Sequence, residues 1–305
     1  MPVVNFDSML PGGKILWSAR RALTSSSRGA QVGRDWTFHM HAMEKINRET
    51  WSAPLSLRGY RRISGYIDGG ERRAFELAVA RFRGGRFLDI GVGGGRTAAL
   101  LAPHAGCYLG VDYTPEMVEL ARSNHPDLDF QLMDARKLRV LENGSQDLVV
   151  FSHNGIDSVD PAGRLSVLRE VYRVLAPGGA FVFSTFHRHW SGFKQAPAPR
   201  QVMPPTANPI LRGLRYYRYI VGALKARQRR QLEVRQGEHA ILLHHAHYFG
   251  IMVYATTPAQ IEGQLLGASF APRPLIFDEN GAEVGGHGAS ETEYFHIVAA
   301  KPSWA

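Results

Sequence analysis

Five short apolar runs, alternating with stretches of helical spacing, constrain this chain more than any other feature. They are RFLDI (86–90), CYLGV (107–111), LDFQL (128–132), DLVVF (147–151) and AFVFS (180–184). Helix patterns lie among them at Arg96 to Leu101, Pro115 to Asn124 and Pro161 to Leu175, and another starts at Glu71 (ERRAFELAVARF) and closes at Gly84-Gly85. Apolar runs of this length interleaved with helices predict strands buried on both faces of a mostly parallel sheet, with helices wound over each side. Further along, HYFGIMVYA (247–255) reads as a strand. Pro258 to Leu266 reads as a helix with Thr257 as its N-cap, and PLIFD (274–278) and EYFHIVAA (293–300) read as closing strands.

Composition narrows the class. The single cysteine, Cys107, excludes an internal disulfide and reads as a small packed residue at the start of the second strand. The first 27 residues carry Arg20-Arg21 but no apolar core of an export signal, so a cytoplasmic location is the expectation. Formal charge is +9 over 305 residues, a value that invites a nucleic-acid reading. That excess is local: residues 186–235 hold 11 Lys and Arg against one acid, Glu233, while the remainder has 25 basic and 26 acidic residues. Within this segment a proline-rich run precedes ILRGLRYYRYIVGALKARQRRQLEVR. There Leu211, Leu214, Ile220 or Val221 and Leu224 recur at helical spacing, which predicts a basic amphipathic helix with arginines on the face opposite the apolar one.

The first strand runs into Asp89-Ile90-Gly91-Val92-Gly93-Gly94-Gly95, a glycine loop opening onto a helix. Such a loop lets a ligand press against main-chain N–H groups. Gly93 to Ala98 also satisfies a dinucleotide pattern, so the loop alone leaves two ligand classes open. Three acids decide. Asp89, two residues before the first glycine, suits a cationic amino group and would repel a pyrophosphate. Asp112, at the end of the second strand, suits both hydroxyls of a ribose, and Asp134-Ala135, after the third, suits an exocyclic adenine amine. An amino acid, a ribose and an adenine in that order describe S-adenosylmethionine.

Residues 85–185 resemble the core of class I S-adenosylmethionine-dependent methyltransferases. The resemblance rests on FLDIGVGGGRT (87–97), LGVDYTPEMVELAR (109–122), MDARKL (133–138), DLVVFSHNGID (147–157) and REVYRVLAPGGAFVFST (169–185). It implies an α/β fold: a doubly wound, mostly parallel seven-stranded sheet with an antiparallel last strand, here with a helical N-terminal cap and an insertion after strand five. It further implies S-adenosyl-L-methionine as cofactor and S-adenosyl-L-homocysteine as product. Asp89, Gly91, Gly93 and Gly95 would meet the methionine part and Asp112 the ribose. Tyr113 and Met117 would pack near the adenine, with Asp134 and Ala135 at its edge, and Ser152 and His153 would lie by the sulfonium. Met117 suits core packing equally well.

The expected organisation is a cap (1–70), a cofactor-binding core (71–185), a proline-rich and basic helical insertion acting as a substrate lid (186–243) and the end of the sheet (244–305). Beyond the carboxyl ends of strands four and five, His153, His187 and His189 are candidate bases, each also open to a hydrogen-bonding or packing role. Asn154, Trp190, His245, His247 and Tyr248 are candidates for the acceptor pocket. A strand over 243–255 would put His245 and His247 on one face and turn His244 away, so no metal site is expected from the cluster His239, His244, His245 and His247. Tyr60, Arg61 and Tyr66, one helix before strand one, suit an anionic carboxylate.

His153-Asn154-Gly155-Ile156 lacks the Asn/Asp-Pro-Pro-aromatic run of base-amine methyltransferases, and Cys107 has no Pro-Cys context, so a nucleic-acid substrate is disfavoured. The expected activity is methyl transfer to an oxygen or nitrogen of a small-molecule acceptor. Two alternatives are a peripheral membrane enzyme that contacts lipid through 210–235 and acts on a lipid-linked or isoprenoid acceptor, and an RNA-binding protein that keeps the fold.

Overall fold

The computed structural model describes residues 42–61, 67–194, 206–237, 239–284 and 291–303. Tyr66, the prolines of 195–205 and most of the expected cap lie outside the described residues. Residues 42–51 form helix α1, followed by α2 (Pro54–Tyr60) and α3 (Gly69–Phe82). The α3 helix starts two residues before the sequence pattern suggests because Asp68 caps it, accepting from the Glu71 N–H at 2.7 Å.

Seven strands build the expected sheet: β1 (Arg86–Ile90), β2 (Cys107–Asp112), β3 (Asp129–Leu132), β4 (Gln146–Phe151), β5 (Leu175–His187), and two late strands, β9 (Leu275–Phe277) and β10 (Tyr294–Ala300). Their order is β3-β2-β1-β4-β5-β10-β9, and β10 runs antiparallel to both its neighbours. Helices α4 (Ala98–Leu101), α5 (Pro115–Asn124) and α6 (Pro161–Val174) connect the first five strands. Alternate residues of β4 enter two separate cores: Val149 and Phe151 join Val171, Phe183 and Phe295, while Leu148 and Val150 join Phe75, Phe87 and Phe130. Burial of both faces is what the continuous apolar runs encode. Cys107 is the exception to expectation: it is exposed rather than packed.

The sheet has ten strands rather than seven, because the segment after β5 is not purely helical. It contains helix α7 (Pro209–Arg229), then β6 (Val234–Gln236) and β7 (His239–His244), and β8 (Ile251–Thr256) follows. β6, β7 and β8 form an antiparallel ribbon. β8 pairs in parallel with Phe186 and His187, beyond the point where β4 ends opposite Phe183. Since β10 already occupies the other side of Phe186, the ribbon continues the β4 side of β5 upward. It stands as a wall above the carboxyl end of β4, where α/β sheets bind ligands.

The expected strand over 247–255 is therefore a hairpin. The chain leaves β7 at His244, reverses through His247, Tyr248 and Phe249 with φ of 52°, 58° and 60°, and enters β8 at Ile251. Helix α8 (Pro258–Gly267) follows with Thr257 as N-cap, completed by a reciprocal bond in which the Thr257 N–H donates to Gln260 Oε1. A buried ion pair ties these parts together. Arg164 of α6 donates to Asp157 at 2.5 Å, and Asp157 also accepts from the Thr185 hydroxyl and the Phe186 N–H, both at 2.7 Å. The Arg164 guanidinium lies 4.6 Å over the Tyr254 ring of β8, so the wall is fastened to the core beneath it.

Helix α7 leaves much of its apolar stripe exposed. The side facing the body carries Arg215, Arg218, Gly222, Ala226 and Arg229, and the apolar stripe faces outward. The reason is the turn below it, whose backbone carbonyls need donors: Arg229 donates to the Phe249 carbonyl at 2.5 Å, and Arg218 covers the Tyr248 ring at 4.4 Å. Gly222 is required for this approach, since a Cβ there would lie 2.2 Å from the Tyr248 carbonyl oxygen.

Candidate active site

A cavity lies over the carboxyl ends of β1, β2, β4 and β5, closed by α1, α2 and the β7–β8 hairpin. One end is formed by the glycine loop. Gly91 has φ of 66°, and a Cβ there would lie 2.7 Å from the Phe151 ring, so only glycine lets the loop turn here. Asp112 is buried at the end of β2. One of its oxygens accepts from the Gly93 N–H at 3.1 Å and the other from the Thr114 N–H at 2.9 Å. Burial pushes this carboxyl upward despite those bonds, so a hydrogen-bond donor arriving from a ligand favours its ionised form.

Of the expected cofactor residues, Gly91, Gly93, Asp112, Tyr113, Met117, Asp134, Ala135, Ser152 and His153 line this cavity. Asp89 and Gly95 do not. Strand alternation sends Asp89 to the opposite face from Ile90, where its Oδ2 accepts from Thr97 at 2.5 Å and Tyr108 at 2.7 Å. Burial pushes the Asp89 carboxyl up to about 6, and its Oδ1 has no partner. Gly95 lies behind the loop against the His125 ring. Asp134 reaches the cavity wall with its carboxylate engaged by Arg136, which donates to both of its oxygens at 2.8 to 3.1 Å.

Of the candidate bases only His153 reaches the cavity. β5 continues as a strand through His187, paired with β10 up to Phe186 and with β8 at Phe186 and His187, so Phe186 faces the cavity and His187 is buried behind it. His189 lies beyond, exposed. Enclosure of the His153 ring and the nearby Arg96 charge lower its pKa. Arg96 itself forms a two-pronged pair with Glu71 at 2.7 and 2.8 Å and donates to Ser152, whose hydroxyl also donates to Glu71. Ser152 thus meets the cavity held by a charged pair that no local motif announces.

The acceptor-pocket candidates divide similarly. Asn154 and His247 line the cavity; Trp190, His245 and Tyr248 do not. The hairpin reverses the expected facing, so His244 lines the cavity and His245 does not. Trp190 packs behind His244, with ring centroids 6.0 Å apart. Asn154 is buried with its Oδ1 unpartnered. His247 meets Ser56 at 3.2 Å and lies edge-on to Trp51 at 4.8 Å; burial, with His244 nearby, lowers its pKa to about 4. Tyr60 lines the cavity beside the glycine loop, while Arg61 is exposed and does not. Burial and the Asp112 charge push the Tyr60 phenol well above its ordinary value, keeping it a neutral donor.

The sequence pattern turned His244 away from the pocket and did not single out Arg48, Trp51, Phe186, Glu293 and Tyr294, yet all six line the same space. The pair at its far end is specific. His244 Nε2 lies 2.7 Å from Glu293 Oε1, and the Ala246 N–H donates to His244 Nδ1 at 3.2 Å. A ring nitrogen that accepts carries no proton, so in neutral His244 the proton is on Nε2 and is donated to Glu293.

Residues 87–179 match the family model described as a methyltransferase domain. Within those residues the chain carries a methyltransferase domain. The chain is 32% identical over 123 residues to an uncharacterized methyltransferase of Synechocystis sp., covering 39% of this chain and 57% of that one. It is 35% identical over 124 residues to a demethylmenaquinone methyltransferase of Beutenbergia cavernae, covering 40% and 50%. The chain thus spans about half the length of the curated relatives it matches. Among solved structures, 1,6-didemethyltoxoflavin-N1-methyltransferase of Burkholderia thailandensis, with 1,6-didemethyltoxoflavin and S-adenosylhomocysteine bound, has the same fold. Its TM-score is 0.53 at 16% identity, with 86% of this chain and 90% of that one covered.

The residues of the cavity fit S-adenosylmethionine. Its glycine turn leaves the main chain at Gly91 and Gly93 bare of side chains, Asp112 offers a buried carboxylate, and Asn154 offers a buried oxygen without a donor.

Proposed function

We propose that the protein transfers the methyl group of S-adenosylmethionine to an oxygen or nitrogen of a small-molecule acceptor seated between Phe186, His244 and Glu293. The observation that carries this reading is the continuity of one cavity from Asp112, at the cofactor end, to the Glu293–His244 pair. When bound, S-adenosylmethionine supplies a methyl carbon on a sulfonium, and S-adenosylhomocysteine is the product.

The chain's own residues have three tasks. Gly91, Gly93 and Asp112 hold and orient the cofactor, with Tyr60 and the end of α2 packed over the loop. Phe186, Ile251 and Val253 present an apolar wall that excludes water from an in-line displacement. Glu293, held by His244, takes the proton that a hydroxyl or ammonium acceptor must lose. Held by Gly91, Gly93 and Asp112, the cofactor would supply the methyl group and keep the carbon–sulfur electron pair on sulfur, and the proton released by the acceptor would go to the Glu293 carboxylate.

Isothermal titration with S-adenosylmethionine and S-adenosylhomocysteine, followed by mass spectrometry of a metabolite extract for a gain of one methylene, tests this reading. Cofactor binding with a new methylated species supports it. No heat at millimolar cofactor overturns it.

A further inference from the structure

Helix α7 turns its apolar side away from the protein. Ile210, Tyr217 and Leu224 are 80%, 64% and 69% exposed, and Leu214 and Ile220 are exposed as well. At 3.6 residues per turn these five lie within an arc of about 120° on the outer face. Arg227 borders that arc on the Ile220 side, with Arg212 behind it, and Lys225 borders it on the Leu214 side; all three are exposed. Over its 21 residues the helix carries no acid. An exposed apolar stripe flanked by cations costs hydration in water, and a solvated surface helix presents the reverse arrangement.

We propose that α7 docks this protein on an anionic lipid bilayer. Ile210, Leu214, Tyr217, Ile220 and Leu224 enter the boundary between headgroups and acyl chains, and Arg212, Lys225 and Arg227 reach up to lipid phosphates. Charge complementarity selects this occupant. A second copy of the helix would bring its own cations against these three, and a nucleic acid would pair with the cations while leaving the apolar arc uncovered. No helix among the described residues is long and apolar enough to cross a membrane, so the contact is peripheral. The inward face of α7 clamps the turn at Tyr248 and Phe249, next to cavity-lining His247, so docking sets the hairpin wall of the cavity at the bilayer surface.

The test is co-sedimentation of the full chain with vesicles of phosphatidylglycerol and phosphatidylcholine, and with phosphatidylcholine alone, without cofactor. Leaving the cofactor out separates this inference from the catalytic reading: either can fail while the other stands. Binding to the anionic vesicles is expected to exceed that to neutral ones by at least roughly tenfold at low salt and to weaken in high salt. The pair Ile220→Ser and Leu224→Ser should abolish it with an unchanged circular dichroism spectrum, and the pair Arg212→Glu and Arg227→Glu should weaken it by a similar factor.

Equal binding to neutral vesicles, no binding, or binding indifferent to the serine pair overturns the proposal. So does a dimer in light scattering that the serine pair dissolves in the absence of vesicle binding. Salt-sensitive RNA binding that the glutamate pair removes and the serine pair leaves intact, without vesicle binding, assigns the helix to RNA and also overturns it.

Discussion

Asn47 closes both main-chain hydrogen bonds of Met252. Its amide nitrogen donates to the Met252 carbonyl at 2.8 Å, and its amide oxygen accepts from the Met252 N–H at 2.9 Å. The side chain thus replaces a missing strand along the open edge of β8 and fastens α1 to the wall of the cavity, helped by Thr50, which donates to the Gly250 carbonyl. Replacing Asn47 with Leu removes both bonds and leaves a buried N–H and C=O unpaired. That costs about 2 to 4 kcal/mol, taking roughly 1 to 2 kcal/mol per group, and a denaturant titration should show the midpoint falling by a corresponding amount.

Asp112 touches the cavity through a carboxylate already held by two main-chain N–H groups. Asp112→Ala is expected to weaken S-adenosylmethionine binding by about 10- to 100-fold, the loss of one or two charge-assisted hydrogen bonds, with a smaller change in folding stability. Calorimetric titration of wild type and variant measures this directly, and equal affinities would contradict the assignment.

Glu293 and His244 should act as a unit. Glu293→Gln keeps the shape but cannot take a proton, so the turnover rate should fall by roughly 10² or more while the cofactor dissociation constant stays put. His244→Phe removes the donor that orients Glu293 and should cost less. In the double variant the two losses should not add, because the histidine works through the glutamate. Additive losses would mean independent roles.

His247 links pH to stability. Its folded pKa lies near 4, below the ordinary histidine value, because burial disfavours the cation. Between about pH 6.5 and 4 the unfolded chain therefore binds a proton that the folded chain does not, and stability falls as pH is lowered through that window. Below about 4 both states are protonated and this contribution is lost in full. Chemical denaturation at pH 7, 5.5 and 4.5 should show the decline, and His247→Gln should flatten it.

Much of the core was legible because its information is local. Each strand of the parallel sheet is a run of apolar residues, each glycine turn adjoins its strand, and caps such as Thr257 lie next to the helices they start. The glycine-loop end of the cavity was legible for the same reason: Gly91, Gly93 and Asp112 sit at strand ends, and a strand end defines where its next residue goes. Asp89 and His187 were misplaced by one step of strand alternation. The length of β5, and with it the face of His187, depends on β8 and β10 pairing with it from far along the chain.

The other end of the cavity was not legible. Glu293 meets His244 across 49 residues, and Glu71 meets Ser152 across 81, with no periodicity to join them. The hairpin at 245–250 defeated its strand pattern because three consecutive left-handed residues, held by Arg229 and Gly222 of α7, reverse the chain where side-chain alternation alone predicts extension.

By itself the sequence determined the parallel sheet, the glycine turn and the carboxylate beside it, since hydrophobic period and backbone permissiveness act over a few residues. Tertiary structure alone decided which histidine faces the cavity, which carboxylate it orients and which side of α7 meets solvent. Those outcomes come from long-range hydrogen bonds that must be satisfied wherever the backbone is buried, and a turn that needs arginine donors will draw a helix's polar face inward against its own pattern.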